Sequence, residues 1–253
     1  MTVHAMECAQ RTHVGLVREH NEDYLVCIPD WGVVVLGDGM GGHLAGEVAS
    51  RLAVEAAAEA LLSSQQKDQA DDLDSLVTAV RAVEAANRAV RAKVESSPEL
   101  KGMGTTLVLA LFREDNVYFG HVGDSRLYRL RDGDLRQLTR DHSLIQELLD
   151  NGLFASIEEA HAAGIGDNIL TRSIGLDPNV EIDVGDQRLR DDDLFLLCSD
   201  GLCGRVPDTR IGEILRQSAD LETLADALLE AALDAGGRDN ISLVLARPAA
   251  PPE

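Results

Sequence analysis

The stretch VVVLGDGMGGH, from Val33 to His43, places an aspartate among four glycines directly after a run of aliphatic residues. The aliphatic run is typical of a buried strand. Glycine permits backbone angles and close approaches that a Cβ would prevent, so the strand is predicted to end in a glycine-rich loop. Asp38 in that loop is either part of a tight turn or positioned for chemistry, and the rest of the chain must distinguish the two.

The composition describes a folded, strongly acidic chain of 253 residues, 45% of them hydrophobic. This length is compatible with one large domain or two small ones. The 23 basic and 44 acidic residues give a net charge of −21, which argues against nucleic acid or an anionic membrane as the main partner. The N-terminal stretch MTVHAMECAQRTHVG lacks the pattern of a secretion signal, and no apolar run approaches the roughly 20 residues of a membrane helix. We therefore expect a cytoplasmic protein.

Hydrophobic periodicity divides the chain into strands, a central pair of helices, further strands and a terminal set of helices. The predicted strands cover residues 3–8, 24–28, 32–36, 105–112, 116–123, 126–133, 135–139, 180–184, 194–198 and 241–247. The predicted helices cover residues 44–62, 73–94, 144–150, 211–217 and 221–235. Consecutive strands joined by short turns, such as Asp132-Gly133, predict antiparallel sheets. An alternating parallel α/β fold fits this order poorly, so one layered α+β domain is predicted.

The glycines of the opening stretch also match a dinucleotide-binding pattern. Gly37, Gly39 and Gly42 have the GxGxxG spacing between a predicted strand and a predicted helix. However, Asp38 would place a carboxylate beside the pyrophosphate, and the following helix leads into another helix instead of a second parallel strand. Nucleotide binding is therefore a distant alternative.

Acidic residues recur at the ends of predicted strands, each beside glycine, asparagine or serine. They are Asp38, the neighbours Glu22 and Asp23, Asp124, Asp200 and Asp239. One such acid would indicate turn chemistry, but five loops with the same pattern favour a common rim of carboxylates. Two like charges about 4 Å apart repel by roughly 1 kcal/mol in water and by more at a partly buried site, so the rim requires a cation.

The chemistry of these side chains favours Mg²⁺ or Mn²⁺. Carboxylate oxygens suit hard divalent ions, and the cysteines lack the spacing of a zinc site. Two such ions can activate a shared water for attack on phosphorus or carbonyl carbon, so hydrolysis is the predicted reaction type. Arg18 lies in the same segment as Glu22 and is suited to hold two phosphate oxygens. Taken alone, it is equally explained as a surface arginine paired with Glu19 or Glu22.

Seven motifs in order make the family recognisable: GLVREHNED, LGDGMGGHLAGE, GTT, HVGDSRLY, LTRDHSLIQELLDNG, CSDGL and GGRDNIS. Together they resemble the metal-dependent serine/threonine protein phosphatases of the protein phosphatase 2C family, in particular its compact bacterial branch. The resemblance implies a four-layer α-β-β-α sandwich, two antiparallel sheets flanked by helices. It also implies a single catalytic domain over residues 1–247, with a flap at about 141–168. The composition of the end, PAAPPE, predicts a disordered tail at 248–253.

The resemblance further assigns roles to the acids around two metal ions. Asp38 is expected to bridge two Mn²⁺ or Mg²⁺ ions, with Asp200 and Asp239 on the first ion and the carbonyl of Gly39 on the second. Asn240 is expected to support the loop beside Asp239.

Other positions take supporting roles by the same match. Glu22 and Asp23 are expected to hold metal-bound waters, and Asp124 to share a weaker third ion with Asp200. Arg18 matches the phosphate-binding arginine of the family.

The general acid is the point at which this sequence departs from the animal enzymes. They carry a histidine directly after the Asp-Gly pair, where this chain has Met40, and His43 follows three residues later. His43 suits proton transfer to the leaving alkoxide. A histidine that caps the next helix, or a metal-bound water as the acid, explains the sequence equally well.

The resemblance thus implies a hydrolase acting on phosphoserine and phosphothreonine in proteins, with a bacterial serine/threonine kinase and its targets as partners, and we expect it to be a monomer. Two alternatives are a non-catalytic binding module and an enzyme for phosphotyrosine or small phosphomonoesters. The intact set of repelling carboxylates argues against the first alternative, and the sequence leaves the second open.

Overall fold

The computed structural model describes residues 6–41, 44–65, 72–113, 115–166 and 169–249. The strands among these residues are β1 Met6–His13, β2 Asp23–Ile28, β3 Val33–Met40, β4 Gly104–Thr105, β5 Leu107–Arg113, β6 Asn116–Val122, β7 Arg126–Arg131, β8 Asp134–Gln137, β9 Asp183–Arg188, β10 Leu194–Cys198 and β11 Ile241–Pro248. The helices are α1 Leu44–Gln65, α2 Asp72–Ser96, α3 Leu144–Asp150, α4 Ile157–Ala162, α5 Asp200–Cys203, α6 Asp208–Leu215 and α7 Leu221–Asp234. None of these described helices combines the length and the apolar character that crossing a membrane requires.

The strands form two sheets in which every pairing is antiparallel. The first sheet has the order β1-β11-β10-β7-β8, and the second has the order β2-β3-β5-β6-β9, with β4 paired to β3. Helices α1 and α2 pack on the second sheet, whereas α5, α6 and α7 pack beside the first. The predicted four-layer α-β-β-α sandwich is confirmed.

The aliphatic run before Asp38 is buried on both faces, which explains why it does not alternate with polar residues. Val33 and Val35 pack in the apolar layer under α1 and α2, and Val34 and Leu36 pack between the two sheets. The rings of Phe112 and Phe195 meet edge to face in that inter-sheet layer, with centroids 5.2 Å apart. A third apolar layer lies between the first sheet and its helices.

The structure corrects the predicted loop after Leu36. Strand β3 continues to Met40 because Asp38 pairs with Asp23 of β2, while Gly39 and Met40 pair with β4. The β4 residues that pair with Gly39 and Met40 are more than 60 positions away in the chain. The glycine-rich local sequence therefore could not predict that the strand continues. A side chain at Gly39 would meet the backbone carbonyl of Glu22 at 2.7 Å, which is a reason for glycine at this position.

Several other element boundaries differ from the predictions. The strand predicted at 180–184 occurs at Asp183–Arg188, where it pairs with β6, and the short helix α5 was not predicted. The first strand is longer than predicted because its full length pairs with β11. That pairing also places Pro248, assigned to the tail, inside β11, and residues 250–253 lie outside the described residues.

Candidate metal centre

Most of the predicted site residues surround one cavity of about 800 Å³. Those that line it are Arg18, Glu22, Asp38, Gly39, Asp124, Asp200 and Asp239. Asp23 does not line the cavity; it is buried and is the register partner of Asp38. His43, the candidate general acid, lies outside the described residues.

Hydrogen bonds from the GTT motif fix the backbone at Asp38. Thr106 Oγ1 accepts the amide N–H of Asp38 at 3.0 Å, and the amide of Thr106 donates to the Asp38 carbonyl at 2.9 Å. The hydroxyl of Thr105 donates to the same carbonyl at 2.9 Å. These three bonds hold the aspartate at the end of the second sheet.

Three further acids reach the cavity from the connections at the same end of the sheets. Asp200 is the first residue of α5 and is separated from β10 by Ser199. Asp239 is separated from β11 by Asn240. Asp124 lies in the turn between β6 and β7, after Gly123, whose φ of 106° favours glycine. Because β10 and β11 belong to the first sheet and β3 to the second, the carboxylates come from both sheets.

Asn240 connects the loop of Asp239 with the N-terminal segment. Its amide N–H donates to Oδ1 of Asp239 at 2.9 Å, and its side-chain oxygen accepts the amide of Glu22 at 2.8 Å. Its side-chain nitrogen donates to the carbonyls of Val14 and His20. These bonds fix the positions of Asp239 and Glu22 relative to each other.

Burial and mutual repulsion raise the pKa values of the clustered carboxyls. The pKa of Asp38 lies well above its usual value, mainly because of burial and then because of the charges on Asp23, Asp200, Asp124 and Asp239. Burial is also the largest cause for Asp23 and Asp124, whose pKa values rise to about 7. The pKa of Asp200 is raised by burial and by the charge of Asp239. The cluster therefore favours either protons or a compensating cation.

The same carboxylates fit a hard divalent ion. Oδ1 of Asp23 and Oδ1 of Asp200 are buried and have no hydrogen-bond partner among the described residues, although Ser199 donates to Oδ2 of Asp23 at 2.8 Å. Buried carboxylate oxygens without donors are costly unless a cation binds them. The donors are oxygen atoms, as Mg²⁺ and Mn²⁺ prefer.

Arg18 supplies a positive charge at the opening of the cavity. Its guanidinium lies 2.8 Å from Oδ2 of Asp239, and about half of its side chain is exposed. The sequence had suggested Glu19 or Glu22 as ion-pair partners of Arg18, and the structure adds Asp239. A guanidinium beside these acids can form paired hydrogen bonds to the oxygens of an anionic group.

Two buried histidines, His121 and His142, contact each other beside the Asp124 turn. The sequence did not predict this contact. The rings of His121 and His142 stack with centroids 4.5 Å apart. Nε2 of His121 lies 2.8 Å from the carbonyl of Arg140, which places the ring proton on Nε2. Burial is the main cause that lowers the pKa of His121 to about 4, so this ring is neutral at pH 7.

His142 links this pair to an ion pair between Asp183 and Arg172. Nδ1 of His142 accepts the amide N–H of Gly123 at 3.2 Å, so Nε2 carries the proton and faces Oδ2 of Asp183 at 3.3 Å. Oδ1 of Asp183 accepts a hydrogen bond from Arg172 at 2.9 Å. The Nδ1 lone pair of His142 already accepts the hydrogen bond from Gly123, and Arg172 already balances the charge of Asp183. We therefore interpret this cluster as structural support for the Asp124 turn.

Comparison with known proteins identifies the family. Residues 17–245 match the sequence model of protein phosphatase 2C. The serine/threonine phosphatase stp of Listeria monocytogenes is 37% identical over 246 residues, covering 95% of both chains. The serine/threonine protein phosphatase PstP of Mycobacterium tuberculosis is 41% identical over 238 residues, which are 94% of this chain and 44% of that protein.

A solved structure agrees with the sequence comparison. The catalytic domain of PstP in complex with two manganese ions superimposes with a TM-score of 0.80 at 39% identity, over 96% of this chain and 97% of that domain. The site and the fold thus define a metal-dependent protein-serine/threonine phosphatase. The chain belongs to the protein phosphatase 2C family, in its bacterial branch. The predicted family and class of enzyme are confirmed.

Proposed function

We propose that this protein removes phosphate from phosphoserine and phosphothreonine in proteins with two Mn²⁺ or Mg²⁺ ions held by Asp38, Asp200, Asp239 and the carbonyl of Gly39. The observation that carries the proposal is the convergence of these buried, mutually repelling carboxylates on one cavity that also contains Arg18. The manganese complex of PstP supports the choice of ion.

The ions would supply the charge that polarises the phosphoryl group and lowers the pKa of coordinated water. In this proposal the guanidinium of Arg18 binds two phosphoryl oxygens and orients the phosphorus toward the acids. Glu22 and Asp23 accept hydrogen bonds from waters in the cluster, and Asp124 with Asp200 binds a weaker third ion. His43 is proposed to give a proton to the departing serine or threonine oxygen.

The threonines around Asp38 and the amide of Asn240 contribute through positioning. Thr105 and Thr106 fix the Asp38 backbone, and Asn240 fixes Asp239, so the carboxylates need little rearrangement to receive cations. Such preorganisation lowers the cost of assembling the charged site.

We further propose that the protein works as a cytoplasmic monomer and opposes a bacterial serine/threonine kinase, acting on the kinase and its targets. The support is the set of bacterial relatives named as serine/threonine phosphatases. Incubation of a phosphorylated kinase with the enzyme tests this proposal, because loss of its phosphothreonine signal is expected with Mn²⁺ or Mg²⁺ and not in EDTA.

The chemistry is tested with p-nitrophenyl phosphate and with matched phosphothreonine and phosphotyrosine peptides. We expect Mn²⁺-dependent hydrolysis, abolished by EDTA, with the phosphothreonine peptide preferred over the phosphotyrosine peptide. Asp38→Asn and Asp239→Asn are each expected to lower kcat/KM by about a hundredfold or more, since replacing even an indirect partner of a metal costs 10- to 100-fold. Asp134→Asn, on the exposed strand β8, is the control.

Three outcomes would contradict the proposal. Full activity of Asp38→Asn would exclude Asp38 as a bridging ligand. Equal rates on the two peptides would favour a phosphatase of broader substrate range. Absence of hydrolysis, with retained Mn²⁺ binding, would favour a non-catalytic binding module.

A further inference from the structure

Exposed apolar side chains are concentrated around the cavity that contains the candidate metal centre. Eight large hydrophobic side chains are substantially exposed among the described residues, and three of them line this cavity. They are Val17, Ile169 and Leu176, with 66%, 49% and 53% of their surface exposed. Three exposed apolar side chains in the lining of one polar cavity provide a surface that a binding partner can cover.

The three side chains are held outward by anchored backbone. On the Val17 side, the amide of Leu16 donates to the carbonyl of Gly237 at 2.6 Å. At Ile169, the carbonyl accepts the amide of Leu144 at 2.8 Å. Binding would therefore not require these segments to reorganise, which reduces its entropic cost.

Leu176 is fixed by the helix beneath it. It follows Gly175, whose φ is 97° and whose amide N–H donates to Oδ1 of Asn87 at 2.7 Å. The side-chain nitrogen of Asn87 donates to the carbonyl of Asp177 at 2.8 Å. Asn87, on α2, thus binds the backbone on both sides of Leu176 and holds this residue at the cavity edge.

The dimensions of the cavity require more than a phosphorylated side chain to fill it. A volume of about 800 Å³ lies in the range that accepts a drug-sized ligand, whereas a phosphothreonine side chain is smaller. With the phosphate at Arg18, the residues directly before and after the phosphorylated one would extend over the cavity edge. Neighbouring residues of an extended peptide are about 3.3 Å apart, so their side chains reach the nearby surface.

The charges around the cavity limit which peptides fit. Glu19 lines the same cavity as Val17, and the whole chain carries a net charge of −21. Acidic side chains next to the phosphorylated residue would be repelled by Glu19 and by this net charge. Apolar side chains would instead cover the exposed surfaces of Val17, Ile169 and Leu176.

We propose that Val17, Ile169 and Leu176 form an apolar rim that binds aliphatic side chains flanking the phosphorylated residue of the substrate protein. The inference rests on the proposed phosphatase function and specifies its substrates: segments with leucine, isoleucine or valine beside phosphothreonine or phosphoserine. Segments with serine or aspartate at the flanking positions are poorer substrates.

The test is a ratio of kcat/KM values for two phosphothreonine peptides that differ only in having leucine or serine on both sides of the phosphothreonine. We expect the unsubstituted enzyme to prefer the leucine peptide by about tenfold or more, as is typical of discrimination by apolar contacts. Val17→Ser, Ile169→Ser and Leu176→Ser should each lower this ratio severalfold, and the triple variant should bring it close to one. Because both peptides are measured with the same preparation, partial unfolding of a variant cancels from the ratio.

Val184→Ser is the matched control, since Val184 is 39% exposed on β9 and does not line the cavity. It should retain the ratio of the unsubstituted enzyme. A ratio near one in the unsubstituted enzyme, or an unchanged ratio in the triple variant, would overturn the inference while leaving phosphatase activity intact. Failure of the unsubstituted enzyme to hydrolyse p-nitrophenyl phosphate or either peptide with Mn²⁺ would instead contradict the proposed function, and the inference with it.

Discussion

The guanidinium of Arg18 donates a hydrogen bond to Oδ2 of Asp239, a residue 221 positions away in the chain, at 2.8 Å. This contact pairs the candidate phosphate ligand with a candidate metal ligand. It is the main cause that raises the pKa of Arg18, so the arginine carries its charge at any pH at which the protein is folded. A divalent ion at Asp239 competes for the same carboxylate, and we expect its binding to release Arg18 toward a phosphate.

Replacing Arg18 should therefore weaken substrate binding more than metal binding. Hydrogen bonds to charged groups contribute about 1.5–3 kcal/mol, so Arg18→Ala should lower kcat/KM for a phosphothreonine peptide by about 10- to 100-fold at saturating Mn²⁺. Arg18→Lys should recover part of this loss because it keeps the charge without the bidentate geometry. Steady-state kinetics, with Mn²⁺ affinity measured by calorimetry, separates the two effects; unchanged kinetics in Arg18→Ala would contradict a phosphate-binding role.

Removing one carboxylate from the cluster should stabilise the metal-free protein. Two like charges about 4 Å apart repel by roughly 1 kcal/mol in water and by roughly 4 kcal/mol near a protein surface, where the effective dielectric constant is lower. In EDTA at pH 8, Asp38→Asn is expected to unfold at a higher temperature than the unsubstituted protein. Saturating Mn²⁺ should reverse this order because the variant binds the ion more weakly. Thermal unfolding with and without Mn²⁺ measures both effects, and an equal or lower melting temperature of Asp38→Asn in EDTA would contradict the expectation.

His121 should make the stability depend on pH. Its folded pKa of about 4 is below the usual 6.5, so between these values the folded protein binds fewer protons than the unfolded chain. The stability contribution is fully present above about pH 6.5 and is lost as the pH falls toward 4, by at most about 3 kcal/mol. Urea unfolding at pH 7 and pH 5 should show a smaller difference for His121→Asn than for the unsubstituted protein. The same difference in both proteins would contradict this, and His20→Asn, at an exposed position, is the control.

Gly39 should tolerate no side chain. A Cβ there would approach the backbone carbonyl of Glu22 at 2.7 Å, and backbone cannot move aside as a flexible side chain can. Gly39→Ala is therefore expected to cost about 1–3 kcal/mol of stability, as overpacking does, and to weaken Mn²⁺ binding. Gly166→Ala is the matched control, because a Cβ at Gly166 would meet no atom within 4 Å. Urea unfolding and Mn²⁺ titration of both variants check the prediction, and similar behaviour of the two would contradict it.

Residue patterns predicted a layered α+β domain with antiparallel sheets, and the family resemblance added the four layers. The acids at strand ends were also predicted, and all of them except Asp23 line the cavity. The run from Val33 to Leu36 lacks alternation because both of its faces are buried, and the acids recur at turns that the antiparallel strands bring to one end. The continuation of β3 to Met40 could not be predicted from local residues, because it depends on pairing with β2 and β4. For the same reason the partner of Arg18 was missed, since Asp239 reaches it only after the chain has folded.

The pairing of β1 with β11 has a consequence for how the chain folds. Met6 is in register with Pro248 and His13 with Ile241, so the first described strand acquires its neighbour only when almost the entire chain is available. Contacts between such distant segments slow folding, because the intervening chain must first be brought together at an entropic cost. Until β11 inserts, β10 exposes an unpaired edge on which other chains can add strands and aggregate.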